Sequence, residues 1–460
     1  MREHWDVIIV GARCAGATLA QLLGRKRLRV LVLEAGERGS NHPMSTHLVQ
    51  PAGMEVLDRI GVGPRVRAVT PAGSRFRYAF DGAGLIAYAP PERAPYCVRR
   101  ATLDPWLQDA AEEAGAQLRF RQRVVELLKQ GERVTGVVVR TPNGLEQLHA
   151  DLVVGADGER STIAQLTAAP EYLVHEGTRG GYFTYYSAPR DWAFDWDIAL
   201  EHVGQNLHYV FRCDGGQVLL AFFGVKGEVA RWGSAHRERF EAALKDCPTT
   251  RRLSEGLRPQ APLMGRLDAR FYYRKPIGPG FALVGDAGHF KDVVTGQGMA
   301  DAFLDAERLA TAICDGRDLA FQHYWRDRDV ATLPHHFDAI AQGRVGFNEP
   351  FMRWVIARLG LRPEQRDRIM LMVQRKIDPT EVVPTATLLS ALASALAHGR
   401  WDVLRGFVGR ARELAGDARV LAERKRLLHA VRAELEHERP RAATGARGTA
   451  HDVTSPESAV

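Results

Sequence analysis

The stretch VIIVGARCAG, Val7 to Gly16, sets two glycines around Arg13 between a β-branched apolar run and a segment of helical period. In a strand-turn-helix unit of the G-x-G-x-x-G type, the first glycine permits a tight turn and the second lets the main chain approach a pyrophosphate. The third lets the helix pack closely on the strand. Gly11 and Gly16 fill the first and third places, and Arg13 replaces the second. The helix N-terminus still offers unpaired N–H groups and a partial positive charge, so Gly11, Arg13, Ala15 and Gly16 form a candidate phosphate cradle. Glu34 ends the next apolar strand, RVLVLE, where a carboxylate can accept hydrogen bonds from a ribose. Two distant segments extend the pattern. DLVVGADGERST, Asp151 to Thr162, is an apolar strand running into Asp157-Gly158. GFALVGDAGHFKDVVTGQGMADAFLDAERLA, Gly280 to Ala310, is a strand, Gly285-Asp286, a glycine-bearing loop and a helix beginning near Gly298. Asp286 suits sugar-like hydroxyls, Gly296 brings bare backbone near a ring, and the amides of Gly298 and Met299 would face developing negative charge.

Composition narrows the partners. The 460 residues are 45% hydrophobic, enough for a substantial core in two or three domains. The net charge of +7 comes from 62 basic and 55 acidic residues that interleave along the chain, which argues against nucleic acid. Five cysteines are scattered, odd in number and never in C-x-x-C spacing, so neither a disulfide framework nor a zinc or other metal site is indicated. A reducing, cytoplasmic setting fits this usage. No apolar run approaches the ~20 residues of a membrane span.

Taken together and in order, the three segments resemble the FAD-dependent oxidoreductases of the para-hydroxybenzoate hydroxylase type, the group A flavoprotein monooxygenases. The resemblance covers about residues 5 to 310. It implies FAD as cofactor, NADPH or NADH as reductant, and O2 as co-substrate transferred through a flavin C4a-hydroperoxide. Residue by residue, Arg100 in RRATLDPWL matches an arginine that meets the phosphates or ribityl chain, with Arg99 as its competitor, and Val124 matches a strand position whose backbone meets adenine. Asp286 then takes ribityl hydroxyls, and Gly298 and Met299 face the flavin N1 and C2 carbonyl region. His289 matches the loop after Gly285-Asp286, whereas Asp292 and Val293 replace a Pro-Pro pair. The charged pair Lys291-Asp292, a candidate pairing, and MSTHLVQPAG, Met44 to Gly53, are similar to a looser subgroup that overlaps geranylgeranyl-reductase-like proteins and flavin halogenases. The halogenase motif W-x-W-x-I-P has no counterpart, since DWAFDWDIAL has the wrong spacing and no proline. The expected reaction is therefore hydroxylation or epoxidation of an apolar aromatic, polyketide or isoprenoid molecule, as in secondary metabolism. Reductive saturation of an alkene and halogenation are the alternatives, and an FAD-binding assembly protein is the non-enzymatic one. His47, His289 and Asp292 are the candidate catalytic groups, because histidine and a buried carboxyl can exchange protons near neutrality.

These residues need elements to hold them. Alternating apolar and helix-period segments predict an α/β, Rossmann-like FAD-binding domain with a parallel sheet, assembled from residues 1–75, 97–175 and 270–325. The helix LDPWLQDAAEEAGA is expected over Leu103 to Ala116, and Pro-Asn-Gly at 142–144 marks a hairpin. Residues 76–96 and 176–269 are rich in aromatics with runs such as NLHYVF and QVLLAFF, which predicts an antiparallel-sheet, α+β substrate domain. Tyr185, Trp196, His208 and Phe222 are its candidate pocket residues, although alternation lets only one face of each strand reach a ligand. Residues 326–439 read as a helical C-terminal extension. Its segment Arg400 to Leu435 could pack on its own core or on another subunit, as in a homodimer. Residues 440–460 are polar and aperiodic, a disordered tail by composition.

Overall fold

A computed structural model describes residues 3–39, 45, 47–255, 257–347 and 350–437 of the chain. The predicted tail therefore lies outside the described residues, as do Met44 and Thr46.

The strand His4–Val10 is buried along Val7 to Val10 on both faces, the pattern of a central parallel strand. It pairs in parallel with Val30–Glu34 on one side and with Gly144–Gly155 on the other. Gln117–Phe120 and Phe281–Leu283 complete a parallel core in the order 281–283, 144–155, 4–10, 30–34, 117–120. The chain moves outward in one direction from the first strand and later returns to its other side. The strand order thus reverses between His4–Val10 and Gly144–Gly155, where a doubly wound sheet opens a crevice at its carboxyl edge. Against this sheet pack Cys14–Gly24, whose Ala15, Gly16, Ala17 and Ala20 allow close approach, and the helix Gly298–Asp315.

The predicted hairpin forms: Arg133–Thr141 pairs antiparallel with Gly144–Gly155 across Pro142-Asn143. The helix expected from Leu103 instead spans Arg100–Glu113, because Arg99 is the last extended residue before it.

The second sheet has seven strands in the order Met264–Arg266, Arg179–Ser187, Gln217–Val225, Asn206–Arg212, Ile198–Val203, Arg75–Phe80, Ala83–Tyr88. Its pairs are antiparallel except one, Ile198–Val203 beside Arg75–Phe80. Those two strands are separated by residues 81–197, so no hairpin turn fixes their relative direction. A three-stranded sheet not foreseen from sequence, Glu171–Glu176, Arg270–Arg274 and His289–Phe290, links the two parts; its strands are too short to show a period.

Beyond residue 317 the described chain is helical. The long helix Trp401–His437 packs on Asp318–Gly343, with Arg432 donating to Asp327 (3.1 Å) and Arg317 to the Leu435 carbonyl (2.9 Å). The segment considered as a partner helix thus has one face taken by its own chain. Among the described residues no helix is long and apolar enough to cross a membrane.

Candidate active site: a cleft at the strand-order reversal

A cleft of about 960 Å³ opens where the strand order reverses. Its walls include Gly11, Arg13, Ala15, Glu34, Arg100, Val124, Asp157, Gly158, Asp286, Gly296, Gly298 and Met299, together with His289, Lys291 and Asp292. Of the residues expected to hold a cofactor, Gly16 alone does not line it. A Cβ there would lie 1.9 Å from the Gly11 carbonyl oxygen, so Gly16 serves the contact between helix and turn. Gly11 itself has φ +108°, and a Cβ on it would meet the Ala156 oxygen at 2.4 Å. Arg13 is the extended residue immediately preceding the Cys14–Gly24 helix. Its side chain makes no capping hydrogen bond to that helix.

Each end of the cleft is built by ordinary hydrogen bonding. The Glu34 carboxylate accepts from the Ala12 N–H (2.9 Å) and the Gly36 N–H (2.8 Å), while Gln108 donates to the Ala12 carbonyl (3.0 Å). Glu34 therefore shapes the glycine turn as well as lining the crevice. Asp157 accepts from Thr162 N (2.7 Å) and, with Ser161 capping Ala164 N (3.0 Å), starts the short helix Thr162–Leu166. Its Oδ1 is buried with no hydrogen-bond partner among the described residues.

Arg100 lines the cleft and forks onto Asp104 of its own helix (2.7 and 2.9 Å). Arg99 turns away to Asp214 and Gln217 of the second sheet, which separates the two competing arginines. His47 lies behind the cleft wall with φ +61°: its Nδ1 accepts from Arg100 N (3.3 Å) and its ring stacks on Tyr185 at 5.6 Å. His289 Nε2 pairs with Asp305 (2.7 Å) and the ring stacks on Tyr273. Burial, opposed by Asp305, lowers the pKa of His289 and favours its neutral form.

Asp292 accepts from Val294 N (3.1 Å), and burial pushes its pKa up to about 6 against the pull of that bond and of Arg179 and Arg266. It lies where the cleft meets a small apolar recess lined by Tyr209, Phe223, Phe271 and Phe290. Asp286 is likewise raised to about 7, by burial first and by Glu159 second, with Arg100 opposing.

The expected pocket residues divide between the two faces of the sheet, by alternation for Tyr185, His208 and Phe222, while Trp196 precedes its strand. Tyr185 shares a core with Phe183, Tyr209, Phe211 and Val294, on the face toward the loop that carries Asp292. Trp196 and Phe222 pack instead with Phe240, Leu244 and Leu253 beneath the helices His236–Leu244 and Pro248–Ser254, and His208 stands between Phe222 and Thr250. These three lie on the opposite face of the sheet, away from the cleft. Tyr209, one residue from His208, faces the right way and donates to the Val294 carbonyl (3.0 Å). The period-2 pattern holds this information, but it does not say which set faces inward. Lys291, the neighbour of Asp292 in sequence, pairs with Asp301 instead of Asp292, and Arg375, discussed below, belongs to no motif.

The donor set fits FAD. Two helix N-termini open on the crevice, an acidic acceptor stands at each of three strand ends, and Gly298 has nothing within 4 Å of where a Cβ would be.

Comparison with known proteins agrees. Residues 4–189 match the FAD binding domain family. The chain is 33% identical over 169 residues to a probable electron transfer flavoprotein-quinone oxidoreductase of Escherichia coli (strain K12), covering 35% of this chain and 38% of that protein's length. It is 29% identical over 338 residues to 6-methylpretetramide 4-monooxygenase of Streptomyces rimosus, covering 69% and 78% of the two chains. To digeranylgeranylglycerophospholipid reductase of Methanothrix thermoacetophila it is 24% identical over 352 residues, covering 72% and 86%. Among solved structures, the flavin-dependent brominase Bmp2 shares the fold with a TM-score of 0.68 at 18% identity, covering 86% of this chain and all of that one. Residues 4–189 thus carry an FAD binding domain, in a chain whose similarities run to proteins named as a monooxygenase and as a digeranylgeranylglycerophospholipid reductase and whose fold is shared with a flavin-dependent brominase.

Proposed function

We propose that this protein is an NAD(P)H-driven monooxygenase that hydroxylates or epoxidises an apolar aromatic, polyketide or isoprenoid small molecule. The observation that carries the reading is Asp292, a half-buried carboxyl whose pKa is pushed up to about 6, set where the cofactor cleft meets aromatic and apolar side chains. A group of that pKa is mostly ionised at neutral pH and still basic enough to accept a proton. Bound FAD supplies the redox chemistry, with NADH or NADPH as electron source and O2 as oxidant. Asp292 would accept the hydrogen of a phenolic or enolic hydroxyl, making the substrate electron-rich. Tyr209 holds the following loop through Val294, and the core of Tyr185, Phe183 and Phe211 keeps that side dry. His289, fixed by Asp305, and His47, fixed by Arg100, orient the walls.

The similarity to a monooxygenase over two thirds of the chain supports oxygen transfer. A second reading, saturation of a prenyl or other alkene, is favoured by the alignment with a reductase over most of that protein's length. Anaerobic reduction with NADH and NADPH, with and without an aromatic library, followed by admission of O2, separates them. Incorporation of labelled oxygen into product supports the first reading. A saturated alkene formed without oxygen consumption overturns it.

A further inference from the structure

Lys291 is 95% buried, lines the cleft, and is its only lysine among the described residues. Its Nζ lies 2.5 Å from Asp301 Oδ2, yet the contact is poorly aligned and leaves the ammonium without a well-directed acceptor. Asp301 belongs to the first turn of the helix Gly298–Asp315 and also lines the cleft. Its second partner is Arg375, which enters from the C-terminal helical region just after the helix Arg368–Val373. Arg375 also donates to Gln297 Oε1 (2.9 Å), the residue preceding that helix, and adopts φ +56°, a conformation that a non-glycine residue holds only under constraint. Burial would raise the pKa of Asp301, but Arg375 and then Lys291 overcome it and hold the carboxyl ionised. Two cations thus meet one anion. Of the other groups nearby, Asp305 pairs with His289 and Arg308, burial keeps His335 and His336 uncharged, and Asp286, raised to about 7, adds at most a partial negative charge; burial lowers the pKa of Lys291 and Asp301 opposes it. A surplus positive charge therefore sits on a helix N-terminus whose dipole is already positive.

We propose that Lys291, Asp301 and Arg375 form a charge clamp that binds the reduced, anionic flavin ring more tightly than the oxidised ring, so that the C-terminal helices are part of the redox site. The proposal rests on the ring lying at the Gly296–Met299 end of the cleft. A surplus cation beside a ring that gains negative charge on reduction favours the reduced form, and removing one partner of the clamp changes that bias by a sign fixed by its charge.

The test is the flavin midpoint potential of the full-length, FAD-loaded protein, measured by anaerobic titration against reference dyes. Lys291→Met and Arg375→Met each remove a cation. They should reduce the preference for reduced over oxidised flavin about tenfold, a fall of about 30 mV for a two-electron couple. Asp301→Asn removes the anion and should raise the potential, while Lys291→Arg and Arg375→Lys stay near the parent. A purely structural role would move all the disruptive variants the same way. Should Arg375→Met fail to retain FAD, the opposed signs of Lys291→Met and Asp301→Asn decide the matter. Unchanged potentials, or a fall on Asp301→Asn, overturn the clamp. Gly298→Ala separates this from a misplaced ring: if it alters the flavin absorption band while the potentials stay put, the clamp alone fails, and if the band is also unmoved, the placement of the ring fails.

Discussion

Gly16, behind the cleft, and Gly298, lining it, should respond to the same methyl group in different ways. At Gly16 a Cβ would sit 1.9 Å from the Gly11 oxygen, 3.0 Å from the Gly11 carbonyl carbon and 3.1 Å from the Ala156 Cβ. Two of those atoms are main chain, so relief requires the Cys14–Gly24 helix to move off its strand by more than about 1 Å to reach ordinary contact. That helix is buried along nearly its whole length, and overpacking of this kind costs about 1–3 kcal/mol or more. Gly16→Ala should therefore lower the unfolding free energy of the FAD-free protein and weaken FAD indirectly. At Gly298 a Cβ meets nothing within 4 Å, and the position opens on the cleft. Replacing a helical glycine there should leave the FAD-free protein as stable or more stable by up to about 1 kcal/mol. The methyl would instead intrude on the ligand and lower FAD affinity tenfold or more, about 1.4 kcal/mol. Denaturant unfolding of the FAD-free proteins and flavin-fluorescence titration measure the two quantities separately. Undiminished FAD affinity in Gly298→Ala, or unchanged stability in Gly16→Ala, would falsify this division between a ligand-facing and a packing glycine.

Asp292 makes a pH prediction. Its folded pKa of about 6 lies above the ordinary value, so the folded state binds the proton more tightly and stability is lost as pH rises from about 4 through about 6. Asp292→Asn keeps an acceptor for Val294 N–H and should exceed the parent in stability above that window by up to about 3 kcal/mol, converging with it at low pH; parallel melts across pH read this out. Arg328, fully buried, binds Asp329, the Tyr172 hydroxyl and the Arg274 and Gly288 carbonyls behind the cofactor loop. Arg328→Met should cost about 3–5 kcal/mol by stranding Asp329, and adding Asp329→Asn should restore part of it in a double-mutant cycle. Glu34→Gln replaces one of two acceptors by a donor facing an N–H, so urea unfolding should show a loss of about 1–3 kcal/mol together with weaker FAD binding.

Much of the cleft's lining was legible because its signals are local. Gly11, Glu34, Asp157-Gly158 and Gly285-Asp286 each mark the carboxyl end of an apolar run, and a strand followed by a turn is encoded within about ten residues. The parallel sheet follows from those runs, since a strand buried on both faces has few other places to go. What neighbours in sequence cannot encode is which face of a distant sheet turns inward. His208 and Tyr209 are adjacent and equally aromatic in character, yet one is packed under the helices at 236–254 and the other braces the loop at Val294 beside the cleft. Direction was equally undetermined for the one parallel pair of the second sheet, whose strands are joined by a long excursion instead of a turn. Arg375 is the clearest case: it follows an unremarkable helix far from any motif, and only the packing of the C-terminal helices against the cofactor fold brings its charge to Asp301. The amino-acid sequence by itself determined which backbone segments can cradle a dinucleotide. Tertiary packing alone decided which side chains, drawn from across the chain, set the charge and shape around it, because charges act through space while sequence patterns act along the chain.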